Sequence, residues 1–279
     1  MKIPPFWTTE RSKGIDGQMW RLRGISFTSM VEARERLEAR RGLRAEFLRM
    51  PGGNFDDYRA KLRALDEIGE DEYSVLLLEP VVQQLNEALV ITRNRYGVQV
   101  LNSTFLCFVD VDDVPLSFGE TVRGWFGNKL TPEDKLLGIV RSLCEQDSSL
   151  GARVYRTHNG WRIMLTGNDL APASPRMKQL FAALHADPLY AAMCERQQCW
   201  RARLTPKPYR VGITRFPRPV DSESIHSPES QEWIARYESA CVGKAVCRLV
   251  DCMGSPILGA GVELHDQLTQ AKIADLPLV

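Results

Sequence analysis

Apolar positions recur at helical spacing in the first third of the chain and at strand spacing in the middle. Met19–Phe27 alternates partly, as a half-exposed strand does. Ser29 then offers a hydroxyl at a helix N-cap, and Met30–Leu48 reads as an amphipathic helix with mixed charge on its outer face. Pro51-Gly52-Gly53-Asn54 breaks it. A short helix over Tyr58–Ile68 comes next, then, after Glu70-Asp71-Glu72 and Pro80, a helical segment over Val81–Ile91. Residues 1–97 are therefore expected to form a mainly helical region packed on a core that begins at residue 98.

From residue 98 the period changes. Val98–Leu101 and Thr104–Val109 are rich in β-branched and aromatic residues, the composition of buried strands. A loop with Pro115, Gly119, Gly124 and Gly127 leads to Thr131-Pro132-Glu133-Asp134, a strong helix start that predicts a helix to about Cys144. Arg153–Thr157 and Trp161–Leu165 are expected to pair as a hairpin, because Asn159-Gly160 between them tolerates positive φ. Helices from Pro175 to about Leu184 and after Asp187-Pro188, and a strand over Trp200–Leu204, complete the order β-α-β-β-α-β. That order predicts an α/β (α+β) fold with a ferredoxin-like, RNA-recognition-motif-like core over residues 98–222. Residues 206–230 read as loop. Residues 223–279 read as a C-terminal helical extension with a short strand, Ala245–Val250.

Composition narrows the function classes. A chain of 279 residues can bury a core without disulfides or metals. Its net charge of +1 gives nucleic-acid binding no overall support, so any basic surface must be local. No apolar run approaches the ~20 residues of a membrane span, and the start with Pro4-Pro5 lacks an apolar signal core. Seven cysteines, an odd number, point to reduced thiols and a cytoplasmic setting. Of their spacings only Cys194-x4-Cys199 fits a zinc pair, and buried free cysteines are the simpler account, so no zinc is expected. His265-Asp266 reads as a helix-surface or packing pair. The phosphate-binding loop, dinucleotide glycine fingerprint and nucleophile-elbow motifs are absent.

The candidate chemistry begins at the acidic strand end Phe108-Val109-Asp110-Val111-Asp112-Asp113. Asp110 and Asp112, two apart on a strand, share a face, whereas Asp113 points elsewhere and suits a turn. Two neighbouring carboxylates repel, and a divalent metal relieves that repulsion while organising phosphates. Downstream, Arg153, Arg156, Thr157, His158 and Arg162 cluster around one hairpin turn, where guanidinium forks could grip phosphate. From Trp200 to Arg218 six basic residues (Arg201, Arg203, Lys207, Arg210, Arg215, Arg218) alternate with Trp200, Tyr209 and Phe216, without one acid. Basic residues interleaved with aromatics suit nucleotides or single-stranded nucleic acid.

A paired-acid strand, a helix and a hairpin bearing a hydroxyl and a histidine together resemble the catalytic core of archaeo-eukaryotic primases and primase-polymerases, over about residues 98–222. The resemblance implies that Asp110 and Asp112 hold Mg2+ or Mn2+, with His158 as a further catalytic residue. Thr157, Arg156 and Arg162, with Arg201, Arg203, Lys207 and Arg210, would contact nucleotide and nucleic acid. For the third metal-binding acid, spacing favours Asp221 and strand placement favours Asp251. The expected function is metal-dependent nucleotidyl transfer on nucleotides and nucleic acid. Two alternatives stand beside it: a non-catalytic nucleic-acid- or protein-binding module, and a nuclease or phosphodiesterase using the same acids.

Overall fold

The computed structural model describes residues 1–13, 19–50, 54–65, 76–112, 131–217 and 221–279. The loop expected around Pro115–Gly127, Asp113, Arg218 and the Pro51–Gly53 break lie outside the described residues.

The N-terminal strands β1 (Phe6–Lys13) and β2 (Met19–Ser26) pair antiparallel. Ser29 caps α1 (Met30–Arg49), its side chain accepting the Glu32 N–H, and α2 (Phe55–Leu65) comes after it. The helix expected over Val81–Ile91 is instead a hairpin of β3 (Val81–Asn86) and β4 (Leu89–Arg93). Two local preferences override the helical spacing. The Asn86 carboxamide oxygen accepts the Ala88 N–H at 2.8 Å and turns the chain, and the β-branched run Val90-Ile91-Thr92 is buried as strand. β4 pairs with β5 (Gln99–Ser103), so one sheet runs across the boundary expected at residue 98.

β6 spans Cys107–Asp112. It starts later than the expected Thr104 because the Ser103 hydroxyl accepts the Phe105 and Leu106 N–H groups and bends the chain. Thr131 and Asp134 form a reciprocal capping box at the start of α3 (Pro132–Gln146). β7 (Gly151–Thr157) and β8 (Gly160–Thr166) make the hairpin turned by His158-Asn159. Next along the chain are α4 (Pro175–Leu184), α5 (Pro188–Gln197) and β9 (Trp200–Arg203), then α6 (Pro228–Cys241), β10 (Cys247–Gly254) and α7 (Ala260–Thr269).

The central sheet has the order β10-β7-β8-β6, and a second sheet has the order β3-β4-β5-β9; every pairing in them is antiparallel. The strand and helix order from β6 to β9 is the expected one, but the pairing departs from it. β9 joins β5, and β10 takes the place beside β7. A hydroxyl stands between β6 and β9: Tyr190 Oη on α5 lies 2.9 Å from the Phe108 carbonyl and 3.0 Å from the Arg201 carbonyl. It satisfies backbone groups that a direct strand pairing would have used.

Neighbours on β6 show how the layers lie. Cys107 faces Met177 of α4, with sulfurs 3.6 Å apart, while Phe108 faces the His265 ring of α7, with centroids 5.4 Å apart. α7 fits tightly: a Cβ on Gly261 would come within 2.7 Å of Leu106 Cδ1. One core cluster joins both sheets through Leu89, Ile91, Leu101, Phe108, Ile163 and Val262. No helix among the described residues is long and apolar enough to cross a membrane.

Candidate functional site

Strand register brings Asp110 and Arg162 together. They are direct partners across β6 and β8, and Arg162 Nε donates to Asp110 Oδ1 at 3.1 Å. The Arg162 side chain is fully buried; its Nη1 donates to the Arg203 carbonyl at 2.9 Å, and its Nη2 has no partner among the described residues. Burial works against the Arg162 charge, and the Asp110 carboxylate reverses the effect, so its pKa lies above the ordinary value. Asp110 keeps 30% of its side chain exposed and faces a cavity. Asp112 is exposed at the strand end, opposite Gly160. That position demands glycine, since a Cβ there would lie 2.4 Å from the Val111 carbonyl.

The remaining hairpin residues go elsewhere. Arg156 pairs with Trp161 across the strands, one register step from Arg162 and therefore on the opposite face, with its guanidinium 4.7 Å from the indole centroid. Thr157 sits opposite Cys247 on β10. His158, exposed at the turn, places Nδ1 3.1 Å from the Leu278 carbonyl, on the β10 side of the sheet. Asp221 is buried, and its Oδ1 accepts the Glu223 and Ser224 N–H groups at 3.2 and 2.8 Å. Its carboxylate thereby holds its own turn. Asp251 faces Arg141 at 3.8 Å. Among the described residues no group of three or more His, Cys, Asp or Glu side chains is placed to hold a metal ion. All seven cysteines are free thiols.

The structure instead gathers arginines. A cavity of about 590 Å3 lies between the β1–β2 hairpin, the 76–79 segment, α5 and the polar face of the second sheet. Its lining includes six arginines (Arg11, Arg23, Arg95, Arg196, Arg201 and Arg203) and two acids, Glu79 and Asp110. Trp7, a buried part of the wall, is held by hydrogen bonds between its backbone and the Ser222 hydroxyl, N to Oγ at 2.9 Å and Oγ to O at 2.7 Å. At the rim, the Arg95 guanidinium lies 4.8 Å from the Tyr96 ring centroid.

Two arginines on β9 differ sharply, although they stand two residues apart on one face. Arg201 is 7% exposed and donates Nη2 to both Glu79 oxygens at 2.6 Å and Nη1 to Gln197 at 2.9 Å. Glu79 also accepts the Thr92 hydroxyl at 2.6 Å. Arg203 is half-buried, and among the described residues no hydrogen bond or ion pair engages its guanidinium. Burial, then the neighbouring Arg162 charge, pulls its pKa below the ordinary value, with Asp110 opposing. Lys207 and Arg210 continue the basic path in the turn after β9, beside Tyr209, which is 69% exposed; Arg210 lies 5.8 Å from that ring.

Behind Arg162 lies a buried cluster in which His265-Asp266 takes the packing role, one of the two expected of it. Asp266, 2% exposed, accepts from Arg153 Nη2 at 2.5 Å, the Tyr155 hydroxyl at 2.8 Å and His265 Nδ1 at 3.2 Å. Burial raises the carboxyl, and the hydrogen bonds from His265 and Tyr155 with the Arg153 charge outweigh it, leaving a pKa of about 2. Burial pushes His265 down to about 4, against the pull of Asp266. The imidazole is therefore neutral at neutral pH, with its proton on Nδ1 and Nε2 left as a buried acceptor without a partner among the described residues.

Sequence reading missed Arg11, Arg95, Arg196 and Glu79. They carry no motif and are brought to β9 only by tertiary packing. No family model, no curated protein and no solved structure matches the chain.

Proposed function

We propose that the protein binds a nucleotide or single-stranded nucleic acid through the arginine-lined cavity, in a way that does not depend on a metal at Asp110. The observation carrying this reading is the charge of the wall: among the described residues six arginines face two acids, and Glu79 is fully engaged by Arg201 and Thr92. Guanidinium forks match phosphate oxygens, and exposed Tyr96 and Tyr209 offer rings on which bases can stack. A cavity of about 590 Å3 is of the size that encloses a ligand of nucleotide dimensions. Asp110 in this reading is the counter-ion of buried Arg162.

Fluorescence anisotropy with labelled oligonucleotide and nucleotide competitors tests it. Binding is expected to persist in EDTA, to weaken steeply with salt, and to fall about threefold to tenfold in Arg196→Gln. No binding at low salt would end the proposal.

A second reading keeps nucleotidyl transfer, with Asp110 and Asp112 holding Mg2+ or Mn2+. It is favoured by one observation: Asp110 lines the same cavity as Arg203, so a phosphate held there would lie near it. The discriminating variant is Asp110→Asn, whose side chain still accepts from Arg162. Asp110→Ala would leave a buried guanidinium without its carboxylate and confound activity with stability. A Mn2+-dependent incorporation of nucleotide that Asp110→Asn abolishes, with binding retained, would establish the enzyme reading. Cleavage in place of incorporation would make it a nuclease.

A further inference from the structure

Charge on the cavity floor does not balance. The ends of the cavity are told apart by burial: Arg11, Arg95 and Arg196 are exposed, whereas Trp7, Leu77 and Tyr190 are buried. Arg203 and Asp110 belong to the inner part, half-buried. Among the described residues, the strongest charged neighbours of Arg203 are Arg162 and Arg210, which repel it, and Asp110, which attracts it and lines the cavity with it. Arg201, close by on the same strand, is cancelled by Glu79. Among these described groups, Arg203 included, positive charge exceeds negative by two, and among the described residues no hydrogen bond or ion pair engages the Arg203 guanidinium.

We propose that the floor around Arg203 is a subsite for a phosphate monoester dianion, the terminal phosphate of a nucleotide or of a nucleic-acid strand end. The proposal rests on the reading of the cavity as a nucleotide site and adds an orientation to it: phosphate inward, base toward Tyr96 at the rim. A monoester carries close to two negative charges above its second pKa of about 6, which matches the surplus. An internal phosphodiester or a carboxylate carries one and leaves a cation uncompensated in a desolvated place. The guanidinium fork of Arg203 can take two phosphate oxygens at once.

Isothermal titration calorimetry of the full chain tests this with two ligands, adenosine 5′-monophosphate and its 5′-methyl phosphodiester. The monoester is expected to bind at least about tenfold tighter near pH 7.5, and the margin to shrink near pH 6 as it takes up its second proton. Arg203→Gln is expected to erase the margin. Arg203→Lys, which keeps the charge and loses the fork, should retain part of it. Equal affinity for the two ligands, or an undiminished preference in Arg203→Gln, would overturn the subsite and leave the cavity reading standing. Failure of both ligands to bind would overturn the two together. The wild-type comparison needs no variant, so misfolding cannot mask the result. A 5′-phosphorylated oligonucleotide set against its 5′-hydroxyl form then identifies the source of the phosphate, strand end or free nucleotide.

Discussion

Two regions carry most of the unusual charge in this molecule, and they treat it oppositely. On the central sheet and α7, charged groups are answered from within the fold: Asp266 by Arg153, Tyr155 and His265, and Arg162 by Asp110. On the cavity wall, positive charge exceeds its partners among the described residues, and none of these makes a hydrogen bond or ion pair to the Arg203 guanidinium. Arg201 and Arg203 put the contrast on one strand, the first locked by Glu79 and the second without a hydrogen-bond partner for its guanidinium among the described residues. The difference teaches that a charge cluster seen in a sequence says little until its partners are known. A cation already neutralised contributes to folding, and one left over is available to a ligand.

The comparison breaks first at Asp266. Replacing it with Ala leaves Arg153 without its buried carboxylate and His265 without its acceptor, and unfolding by urea is expected to show a loss of about 3–5 kcal/mol. A loss under about 1 kcal/mol would mean that the cluster is not an integrated charge network.

Acidity probes the same cluster. His265 has a folded pKa of about 4, below its unfolded value of about 6.5, so the folded state resists protonation. The stability tied to its neutral form is whole above about pH 6.5 and declines as pH falls, by about 3 kcal/mol in total on reaching pH 4. Asp266, held at about 2, adds a second loss that starts near its unfolded value of about 4 and runs downward. His265→Asn can keep a donor toward Asp266 and should flatten the slope between pH 6.5 and 4 while sparing the one below. An unchanged slope in that variant would place the responsible group elsewhere.

How much of this could be read from the chain depends on the range of the interaction. Thr131, Asp134 and Ser29 act within a few residues, and the helices they cap stand where they were expected; the β7–β8 hairpin also forms, but it turns at His158-Asn159 with neither Asn159 nor Gly160 at positive φ. Val81–Ile91 was ambiguous, because apolar residues spaced like a helix were also β-branched and flanked a turn-forming Asn86. Strand pairing was less legible still, since the hydroxyl of Tyr190 between β6 and β9 has no local signature. The site was legible only in its parts. Asp110, Arg162 and Arg203 were picked by residue type, but burial and partners assign their charges. The carboxylate engaging Arg201 lies 122 residues away, and nothing in the Trp200–Arg218 window announces it. For His265-Asp266 the chain left a helix-surface and a packing role open, since adjacent polar residues on a helix are usually exposed, and only the tertiary partners decide for packing.

On β9 the contrast becomes a matched pair of variants. Arg201→Gln leaves Glu79 a half-buried carboxylate supported, among the described residues, only by Thr92, and a loss of about 2 kcal/mol is expected in thermal or urea unfolding.

Arg203→Gln should do almost nothing by that measure, within about 0.5 kcal/mol of the parent, and a small gain is the more natural sign. The substitution removes a half-desolvated cation from beside Arg162 and Arg210 and breaks no hydrogen bond made among the described residues. Its effect belongs in ligand binding. A residue whose removal leaves the fold unharmed or firmer while weakening a ligand is one held in place at some cost to stability for the sake of function. If Arg203→Gln instead destabilises the fold as much as Arg201→Gln does, its charge is already answered within the fold, and the distinction between the two regions disappears.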